Sequence, residues 1–278
     1  MVDQTVRRAR PLLGTVVSIL LNDAALTPAQ REAAFSAAFD EVAHIGRVMS
    51  AHAPDSDLAR LSQATAGAVL TLDPHTVHVL RAAQYWQRVS HGAFNPGQAA
   101  TRLSAAGQRP GLTRLHPASP GLHALEVLSD TTVKLQHPIQ LDLGGIAKGY
   151  AVDCAITKLQ QHGVVHALVN AGGDMRAIGS SLWPVDVRHA QHHLMDLRMR
   201  ACQTLQHRAL ATSVAAPLNP EFVHVRRFPK QRWRSATVQA PDCMTADALT
   251  KWALQSTDLC PQLRSVLRAH QARMWRSS

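Results

Sequence analysis

Two adjacent glycines, Gly144 and Gly145, separate stretches of opposite periodicity near the middle of the chain. Residues 139–143 alternate apolar and polar side chains, which predicts the end of a β-strand. Residues 146–159 carry apolar side chains at helical spacing, so the glycine pair predicts a turn from a strand into a helix. Such a turn leaves several backbone N–H groups free at the start of the helix, where an anion is stabilised.

Lys148 lies in the first turn of this predicted helix. A cation there is unfavourable for the helix dipole, so its position favours a site that also holds a negatively charged ligand. The alternative is a tight turn with one solvated lysine. The stretch matches neither common phosphate-binding loop, G-x-x-x-x-G-K-[ST] or G-x-G-x-x-G, so the residues alone indicate only a candidate phosphate site.

The composition suits an anionic ligand or partner but does not favour nucleic acid. The 278 residues carry a net charge of +10, and the basic side chains are scattered rather than grouped in blocks. Few aromatic residues flank them, as base stacking would require, so we expect no nucleic-acid binding. The densest basic run, residues 226–234, is interpreted as a solvated loop or a docking patch.

Neither the cysteines nor the N-terminal residues indicate export. Cys154, Cys202, Cys243 and Cys260 are far apart and form no C-x-x-C motif, so free thiols are expected. Residues 1–10 are charged and show no apolar signal region or lipobox cysteine, and no apolar run reaches membrane-spanning length. We expect a cytoplasmic protein for the chain as it stands, and a periplasmic one if a leader has been removed.

The order of the predicted elements favours the α+β class. Helical and strand patterns are interspersed without a regular βαβ rhythm, so mixed or antiparallel sheets should pack with helices in a single domain over residues 1–278. Residues 97–120 predict a long loop, and residues 255–278 predict a basic C-terminal helical extension. The predicted strands lie at 16–21, 125–128, 132–136, 164–169, 175–178, 195–199, 210–213, 222–226 and 236–239, and the predicted helices include one capped by Thr27 and others at 74–89, 146–159 and 244–254.

Several stretches, taken together and in order, resemble one protein family. The most specific is the string D-L-G-G-I-A-K-G-Y-A-V-D at residues 142–153. The set is similar to the FAD:protein FMN transferases, the ApbE family, from near the N-terminus to about residue 254. The other matching stretches lie at 13–15, 49–58, 92–96, 169–174, 211–213 and 246–249.

The resemblance implies a single-domain, ApbE-like (T-fold-related) architecture that binds FAD and Mg²⁺ and modifies an acceptor flavoprotein. FMN would move from FAD to a threonine or serine hydroxyl of the acceptor through a phosphoester bond, with release of AMP. Such a phosphoryl transfer needs neutralisation of the diphosphate charge and an in-line hydroxyl. Two alternatives stay open, a degenerate FAD-binding carrier or scaffold without transferase activity and an FAD pyrophosphatase giving FMN and AMP. The oligomeric state is not predicted.

The resemblance also assigns residues to the site. Lys148 and Asp247 are the candidate catalytic residues, since an ammonium can hold the diphosphate and a carboxylate is a hard ligand for Mg²⁺. Phe94 and His52 have plain alternatives as a core residue and a solvated loop histidine. Asp153 is expected to order the central helix or to pair locally rather than to do chemistry. The candidate cofactor-binding residues are Leu13, His52, Ala93, Phe94, Asn95, Asp142, Lys148 and Val225, and the candidate metal ligands are Gly145 (through its backbone carbonyl), Asp247, Thr250 and Lys251.

Three departures from the family pattern bear on these assignments. The family's metal helix usually reads A-D-A-L-x-T, but here Lys251 stands four residues after Asp247, and Thr250 is one position early, about 100° around the helix. Either Lys251 pairs with Asp247 on the helix surface, or its ammonium enters the metal site and weakens or replaces Mg²⁺. Residues 224–230 replace the family's H-I-x-D-P-x-T-G segment, and Asn95 replaces a common aspartate, which keeps hydrogen bonding without charge.

Overall fold

The protein is described by a computed structural model, which places residues 5–97, 121–187, 201–214, 233–256 and 260–277. The chain divides into two compact units. Unit 1 comprises residues 1–44, 148–214 and 231–278, and unit 2 comprises residues 45–147 and 215–230. The predicted α+β class is confirmed, because helices are interspersed among antiparallel sheets. The expectation of one domain over the whole chain stays a prediction.

The elements follow one another without a regular alternation of strand and helix. In chain order they are β1 (Val6–Leu12), β2 (Thr15–Leu21), α1 (Pro28–Val48), α2 (Asp57–Gln63), β3 (Val69–Thr71), α3 (Pro74–Val89), a 3₁₀ helix (Gly121–Ala124), β4 (Leu125–Val127), β5 (Thr132–Leu135), α4 (Ala147–Gln161), β6 (Ala167–Ala171), β7 (Asp174–Ile178), β8 (Trp183–Val187), β9 (Ala201–Leu205), β10 (Ala209–Val214), β11 (Ser235–Ala240), α5 (Cys243–Gln255), α6 (Pro261–Ala269) and β12 (Arg273–Ser277).

Unit 1 is built on a seven-stranded sheet in the order β1-β2-β6-β7-β10-β11-β12, in which every neighbouring pair is antiparallel. Helix α5 packs against β10, β11 and β7. The hairpin of β8 and β9 shares a buried apolar cluster with the sheet, formed by Leu168, Met175, Ala177, Trp183, Val185, Leu205 and Leu210. This packing brings one face of α5 against strand residues that are distant in the sequence.

Unit 2 contains a three-stranded antiparallel sheet in the order β3-β5-β4, together with α2, α3 and the 3₁₀ helix. Helix α3 spans the residues predicted from its apolar periodicity, and it begins where the carboxylate of Asp73 accepts a hydrogen bond from His75 N at 2.8 Å. The hairpin predicted around residues 129–130 is confirmed as β4 and β5. Local signals therefore predicted helix α3 and the β4–β5 hairpin of this unit correctly.

The predicted cap of α1 is also confirmed, and it is a two-way cap. Thr27 Oγ1 accepts a hydrogen bond from Gln30 N at 3.3 Å, while Gln30 Oε1 accepts one from Thr27 N at 2.9 Å. Each side chain satisfies a backbone donor that the first turn of a helix leaves unpaired. Among the helices that the structure describes, none combines the length and apolarity that crossing a membrane requires.

Two predictions of secondary structure are wrong. Residues 139–143 form no strand, although Ile139, Leu141 and Leu143 are buried, so their alternation reflects burial of an irregular segment. The C-terminal extension is helical only in α6, because the chain then returns as strand β12, which pairs with β11. The strand predictions at 195–199 and 222–226, and nearly all of the predicted loop at 97–120, lie outside the described residues.

Candidate active site

The first turn of α5 is held by an acidic residue of α4. Asp153 accepts hydrogen bonds from the backbone amides of Cys243 (2.9 Å) and Met244 (2.8 Å), and its carboxylate lies 2.8 Å from the guanidinium of Arg176. Asp242 caps the same turn by accepting a hydrogen bond from Thr245 N at 2.7 Å. Asp153 was expected to order its own helix or to pair locally, but these partners lie 23, 90 and 91 residues away in the sequence. Its hydrogen bonds fix the helix that carries Asp247.

A glycine lets the two helices approach closely at this point. A Cβ atom added to Gly149 would lie 2.3 Å from the carbonyl oxygen of Cys243 and 2.9 Å from Cβ of Asp247. No real side chain tolerates such distances to a backbone atom, so α4 and α5 require glycine here. The backbone amide of Gly149 donates to Asp247 Oδ2 at 3.2 Å, so the anion beside the first turn of α4 is a carboxylate of the protein itself.

Lys148 is brought to the same carboxylate. Its Nζ donates a hydrogen bond to Asp174 Oδ2 and lies 4.0 Å from Asp247 Oδ2. The side chain of Lys148 is 33% exposed, whereas those of Asp174 and Asp247 are 3% and 0% exposed. The alternative of one solvated lysine in a turn is therefore wrong. The two candidate catalytic residues, 99 positions apart in the sequence, share one cluster of charges.

Asp174 is the residue of this cluster for which the sequence predicted no role. It follows the turn between β6 and β7, where Asn170 Oδ1 accepts a hydrogen bond from Gly173 N at 2.9 Å. Behind this turn, a Cβ atom at Gly172 would lie 2.6 Å from Thr15 Oγ1, so the stretches 13–15 and 169–174 are in close contact. The sequence did contain a signal for this role, because Asp174 directly follows two glycines at the end of a stretch that resembles the family.

The opposite oxygen of Asp247 faces a second lysine. Lys251 Nζ lies 2.7 Å from Asp247 Oδ1, 2.5 Å from Ser213 Oγ and 3.2 Å from Thr250 Oγ1. Thr250 Oγ1 donates to the backbone carbonyl of Asp247 at 2.6 Å, and it lies 2.7 Å from Ser213 Oγ. The side chain of Lys251 is only 15% exposed. Pairing with Asp247 is therefore confirmed, but its predicted place on the helix surface is wrong.

Opposing charges set the pKa values within the cluster. Burial lowers the pKa of Lys148, but the charges of Asp174 and Asp247 outweigh it and raise that pKa above its usual value. Burial raises the pKa of Asp247, but Lys148, Lys251 and the Gly149 amide outweigh it and lower that pKa. For Asp174, burial and the neighbouring charge of Asp247 dominate and raise the pKa. The cluster therefore holds a charged Asp247 with a protonated Lys148 beside it.

The backbone amides in and directly after the glycine pair were expected to be free donors, but three of them are already bonded within the protein. The backbone N–H groups of Ile146 and Ala147 both donate to the carbonyl of Leu143, at 2.9 and 2.8 Å, and the amide of Gly144 donates to Asp142 Oδ1 at 2.9 Å. The prediction that free amides there cradle an anion is wrong for these three groups. Their bonds instead form a compact turn immediately before α4.

Several cofactor-binding candidates lie together in unit 2. The backbone amide of Asp142 donates to the carbonyl of Pro96 at 3.1 Å, which joins the stretches 92–96 and 141–147. Asn95 Oδ1 accepts a hydrogen bond from Gly97 N at 3.1 Å, and Asp142 is 6% exposed. Within this strip Phe94 is buried at 4% exposure, as its core alternative predicted, and Ala93 is half-buried.

The remaining candidates lie in separate stretches of the sequence. His52 is exposed in the loop before α2, as its solvated alternative predicted, and Gly145 lies in the turn before α4. Leu13 belongs to unit 1, where it forms the turn between β1 and β2 with a φ of 56°. Val225 lies outside the described residues. The direct role of each of these four residues stays a prediction.

The arrangement around Asp247 fits an ammonium rather than Mg²⁺. Mg²⁺ needs about six oxygen ligands at about 2.0–2.1 Å. Asp247 Oδ1 already faces Lys251 Nζ at 2.7 Å, and the hydroxyls of Ser213 and Thr250 lie around the same Nζ. A divalent ion bound to this oxygen would lie against a positive charge in a buried place. The residues present therefore do not fit the expected metal without displacement of Lys251.

Comparisons with known proteins match this chain to one family. The model of the ApbE family matches residues 13–256. An FAD:protein FMN transferase of Treponema pallidum is 31% identical over 186 residues, which cover 62% of this chain and 51% of the relative. The chain thus spans about half the length of this relative. An FAD:protein FMN transferase of Rhodobacter capsulatus is 31% identical over 137 residues, 44% of this chain and 26% of the relative.

Solved structures share the fold. The flavin transferase ApbE from Vibrio cholerae superimposes with a TM-score of 0.77 at 20% identity, covering 99% of this chain and 97% of the other. The apo form of the Pseudomonas stutzeri flavinyl transferase ApbE gives a TM-score of 0.77 at 19% identity, covering 98% and 90%. With the family model matching most of the sequence and the fold matching throughout, the chain belongs to the ApbE family.

Proposed function

We propose that the protein is an FAD:protein FMN transferase that modifies a threonine or serine hydroxyl of an acceptor flavoprotein. The hydroxyl oxygen attacks the FMN-side phosphorus of FAD, a new P–O bond forms, and the bond to the AMP phosphate breaks. The hydroxyl proton passes to solvent or to a base, and AMP leaves. The observation that carries the proposal is the charge cluster of Lys148, Asp174 and Asp247, assembled from three stretches that match the family.

Lys148 is suited to neutralise the diphosphate. An ammonium has three donors, Asp174 takes one, and the side chain is one-third exposed, so phosphate oxygens can reach it. Charge on the transferring phosphoryl group is spread over its oxygens, and a fixed cation beside it stabilises the transition state. The carboxylates of Asp174 and Asp247 hold the ammonium in place and keep it protonated. Lys148 is therefore the proposed catalytic cation.

The stretches 92–96 and 141–147 are proposed to contact the flavin nucleotide. Asn95 and Asp142 lie on two stretches that are joined through the carbonyl of Pro96, so both can contribute polar groups to one strip. Phe94 supports this strip from the core. We extend the proposal to Leu13, His52, Ala93 and Val225, the remaining FAD contacts implied by the resemblance.

A requirement for Mg²⁺ is the remaining expectation from the resemblance, through Gly145, Asp247 and Thr250. Mg²⁺, where bound, would supply a Lewis acid for the diphosphate oxygens. The neighbours of Asp247 do not fit it, as described above, so no step of the proposed reaction passes through the ion.

The experiment is a labelling assay with a matched control. Purified protein is incubated with FAD and a panel of acceptor domains that other ApbE flavin transferases label, and products are resolved on denaturing gels by flavin fluorescence. We expect a fluorescent acceptor band, AMP released in equal amount, and loss of both in Lys148→Met. Lys158→Met, on the same helix but paired with Glu41 at 3.5 Å, should label normally.

The same assay separates the competing functions. AMP release without acceptor labelling would indicate an FAD pyrophosphatase. Bound FAD that copurifies with the protein but yields neither product would indicate a carrier or scaffold. Either result with every acceptor of the panel would overturn the proposed transfer.

A further inference from the structure

We propose that the ammonium of Lys251 is the resident cation of this site and takes the place of a divalent metal ion at Asp247. The inference goes beyond the proposed function, because it concerns only which cation neutralises a buried carboxylate. It holds whether or not FMN transfer is confirmed, and its test needs neither FAD nor an acceptor.

The hydrogen bonds around Lys251 form a closed set. A lysine ammonium has three donors, and three oxygens surround Nζ, from Asp247 at 2.7 Å, Ser213 at 2.5 Å and Thr250 at 3.2 Å. The hydroxyl proton of Thr250 goes to the carbonyl of Asp247 at 2.6 Å, and that of Ser213 can go to Thr250 Oγ1 at 2.7 Å. Every donor has an acceptor, so the cradle is built for an ammonium.

The charge count leads to the same conclusion. The described cluster contains two ammonium groups, Lys148 and Lys251, and two carboxylates, Asp174 and Asp247, so its formal charges cancel. A divalent ion added to this set would leave two uncompensated positive charges where Asp247 is fully buried. Removal of Lys251 would instead leave one negative charge and an oxygen-lined space. A metal site is therefore expected only when this one side chain is replaced.

The helix geometry identifies the replacement. Residues four apart lie on the same face of a helix, so a side chain at position 251 points to Asp247. Lys251→Thr removes the ammonium and offers a hydroxyl oxygen in its place, next to the oxygens of Asp247, Ser213 and Thr250. Oxygen ligands of this kind suit Mg²⁺ and Mn²⁺. Lys251→Arg keeps a positive charge and serves as the matched control.

The test is a titration of Mn²⁺ and Mg²⁺ into the apo protein. Free Mn²⁺ is followed by electron paramagnetic resonance, and the thermal midpoint is measured in EDTA and in Mg²⁺. We expect no stoichiometric Mn²⁺ binding and an unchanged midpoint for the wild type, Lys251→Arg and Lys158→Thr. Lys251→Thr should bind one Mn²⁺ per chain and gain about 5 °C in its midpoint at a hundredfold excess of Mg²⁺ over Kd. Asp247→Asn in that background should abolish both effects.

Two results would overturn the proposal. One is a single Mn²⁺ bound to the wild type and lost in Asp247→Asn, because the metal would then share the carboxylate with Lys251. The other is a folded Lys251→Thr protein that binds no ion, because the cradle would then be no cation site. If Lys251→Thr does not fold, the wild-type titration and its Asp247→Asn control still decide between the proposal and an ordinary metal site.

Discussion

Lys148 and Lys251 lie on opposite sides of the Asp247 carboxylate, and their surroundings differ. Lys148 is held by another acidic residue, Asp174, and one third of its side chain is exposed. Lys251 is surrounded by one carboxylate and two hydroxyl oxygens, and 15% of its side chain is exposed. Lys148 stands where the resemblance implies a lysine, whereas Lys251 departs from the pattern that the resemblance implies.

The difference shows how one residue type can serve two purposes around a single buried charge. An ammonium with exposed surface can bind an incoming anion, whereas one whose donors are all taken by protein oxygens can only balance a charge. Lys148 should therefore matter chiefly for transfer, and Lys251 chiefly for stability and for the choice of cation.

Lys251→Met is expected to have the largest effect on stability. It removes the closest partner of Asp247, whose side chain is fully buried, and truncation of one member of a buried ion pair costs about 3–5 kcal/mol. The free energy of unfolding, measured with urea, should fall by about 4 kcal/mol. A loss below about 1 kcal/mol would show that Lys148 and the Gly149 amide suffice for Asp247, and the contrast between the two lysines would disappear.

Lys148→Met is expected to affect transfer activity more than stability. Loss of one preorganised charge that stabilises a transition state lowers turnover by about 10²–10³-fold, which corresponds to about 3–4 kcal/mol. Acceptor labelling should fall by this factor in protein shown to be folded by circular dichroism. Lys148→Arg, which keeps the charge with a different shape, should retain part of the rate. Equal transfer rates in Lys148→Met and the wild type would remove Lys148 from the mechanism.

Gly149→Ala tests whether the close approach of α4 and α5 keeps Lys148 and Lys251 on either side of Asp247. The new methyl group would meet the carbonyl of Cys243 at 2.3 Å, so the helices must separate. Overpacking of this kind costs about 1–3 kcal/mol. Urea unfolding should show a loss of about 2–3 kcal/mol, and labelling should fall as well. The opposite substitution in the first turn, Ala147→Gly, should cost less than about 1 kcal/mol.

The pH dependence of stability probes the attachment of α5. Burial raises the pKa of Asp153 to about 6, despite Arg176 and the two amide donors. The folded-state pKa of Asp153 exceeds the unfolded value near 3.8. The contribution of Asp153 to the free energy of unfolding is therefore fully present below about pH 4 and is lost as pH rises through about 6. The free energy of unfolding should decline by about 2 kcal/mol over this window relative to Asp153→Asn. A rise over the same window would contradict the assigned direction.

Ser213→Ala should have the smallest effect of the series. It removes one of the three oxygens around Lys251 but leaves the ion pair with Asp247 intact. A lost hydrogen bond to a charged group costs about 1.5–3 kcal/mol, partly recovered here because the exposed fraction of Lys251 admits water. We expect the free energy of unfolding, measured with urea, to fall by about 1 kcal/mol. Added Mg²⁺ should not stabilise this variant. Mg²⁺-dependent stabilisation of this variant would point to a metal where Lys251 now lies.

The sequence predicted local features well. Periodicity and capping gave α3 over its full length and the Thr27 cap of α1, because these depend on residues a few positions apart. The proximity of Lys148 and Asp247 came from the resemblance, and the geometry agrees. The alternation in 139–143 was misleading, because burial of an irregular segment gives the same pattern as a strand.

Contacts between residues that are distant in the sequence could not be predicted from local patterns. Asp174 lies 26 residues from Lys148, and Ser213 lies 38 residues from Lys251. Only the folded arrangement, with α4 beside β7 and α5 beside β10, reveals these pairs. Strand β12 was missed because its Arg-rich sequence reads as a continuation of a basic helix, although pairing with β11 decides its structure. The departure at Lys251 was visible in the sequence, but its hydroxyl partner on β10 was not.

The most direct test of the proposed transfer follows the phosphorus atom itself. FAD that carries radioactive phosphorus only on its FMN side is incubated with the protein and an acceptor domain from the panel. The products are separated after denaturation. The account predicts radioactivity on the acceptor, resistant to denaturant and matched by unlabelled AMP. Radioactivity recovered only as free FMN, or left entirely in FAD, would contradict it.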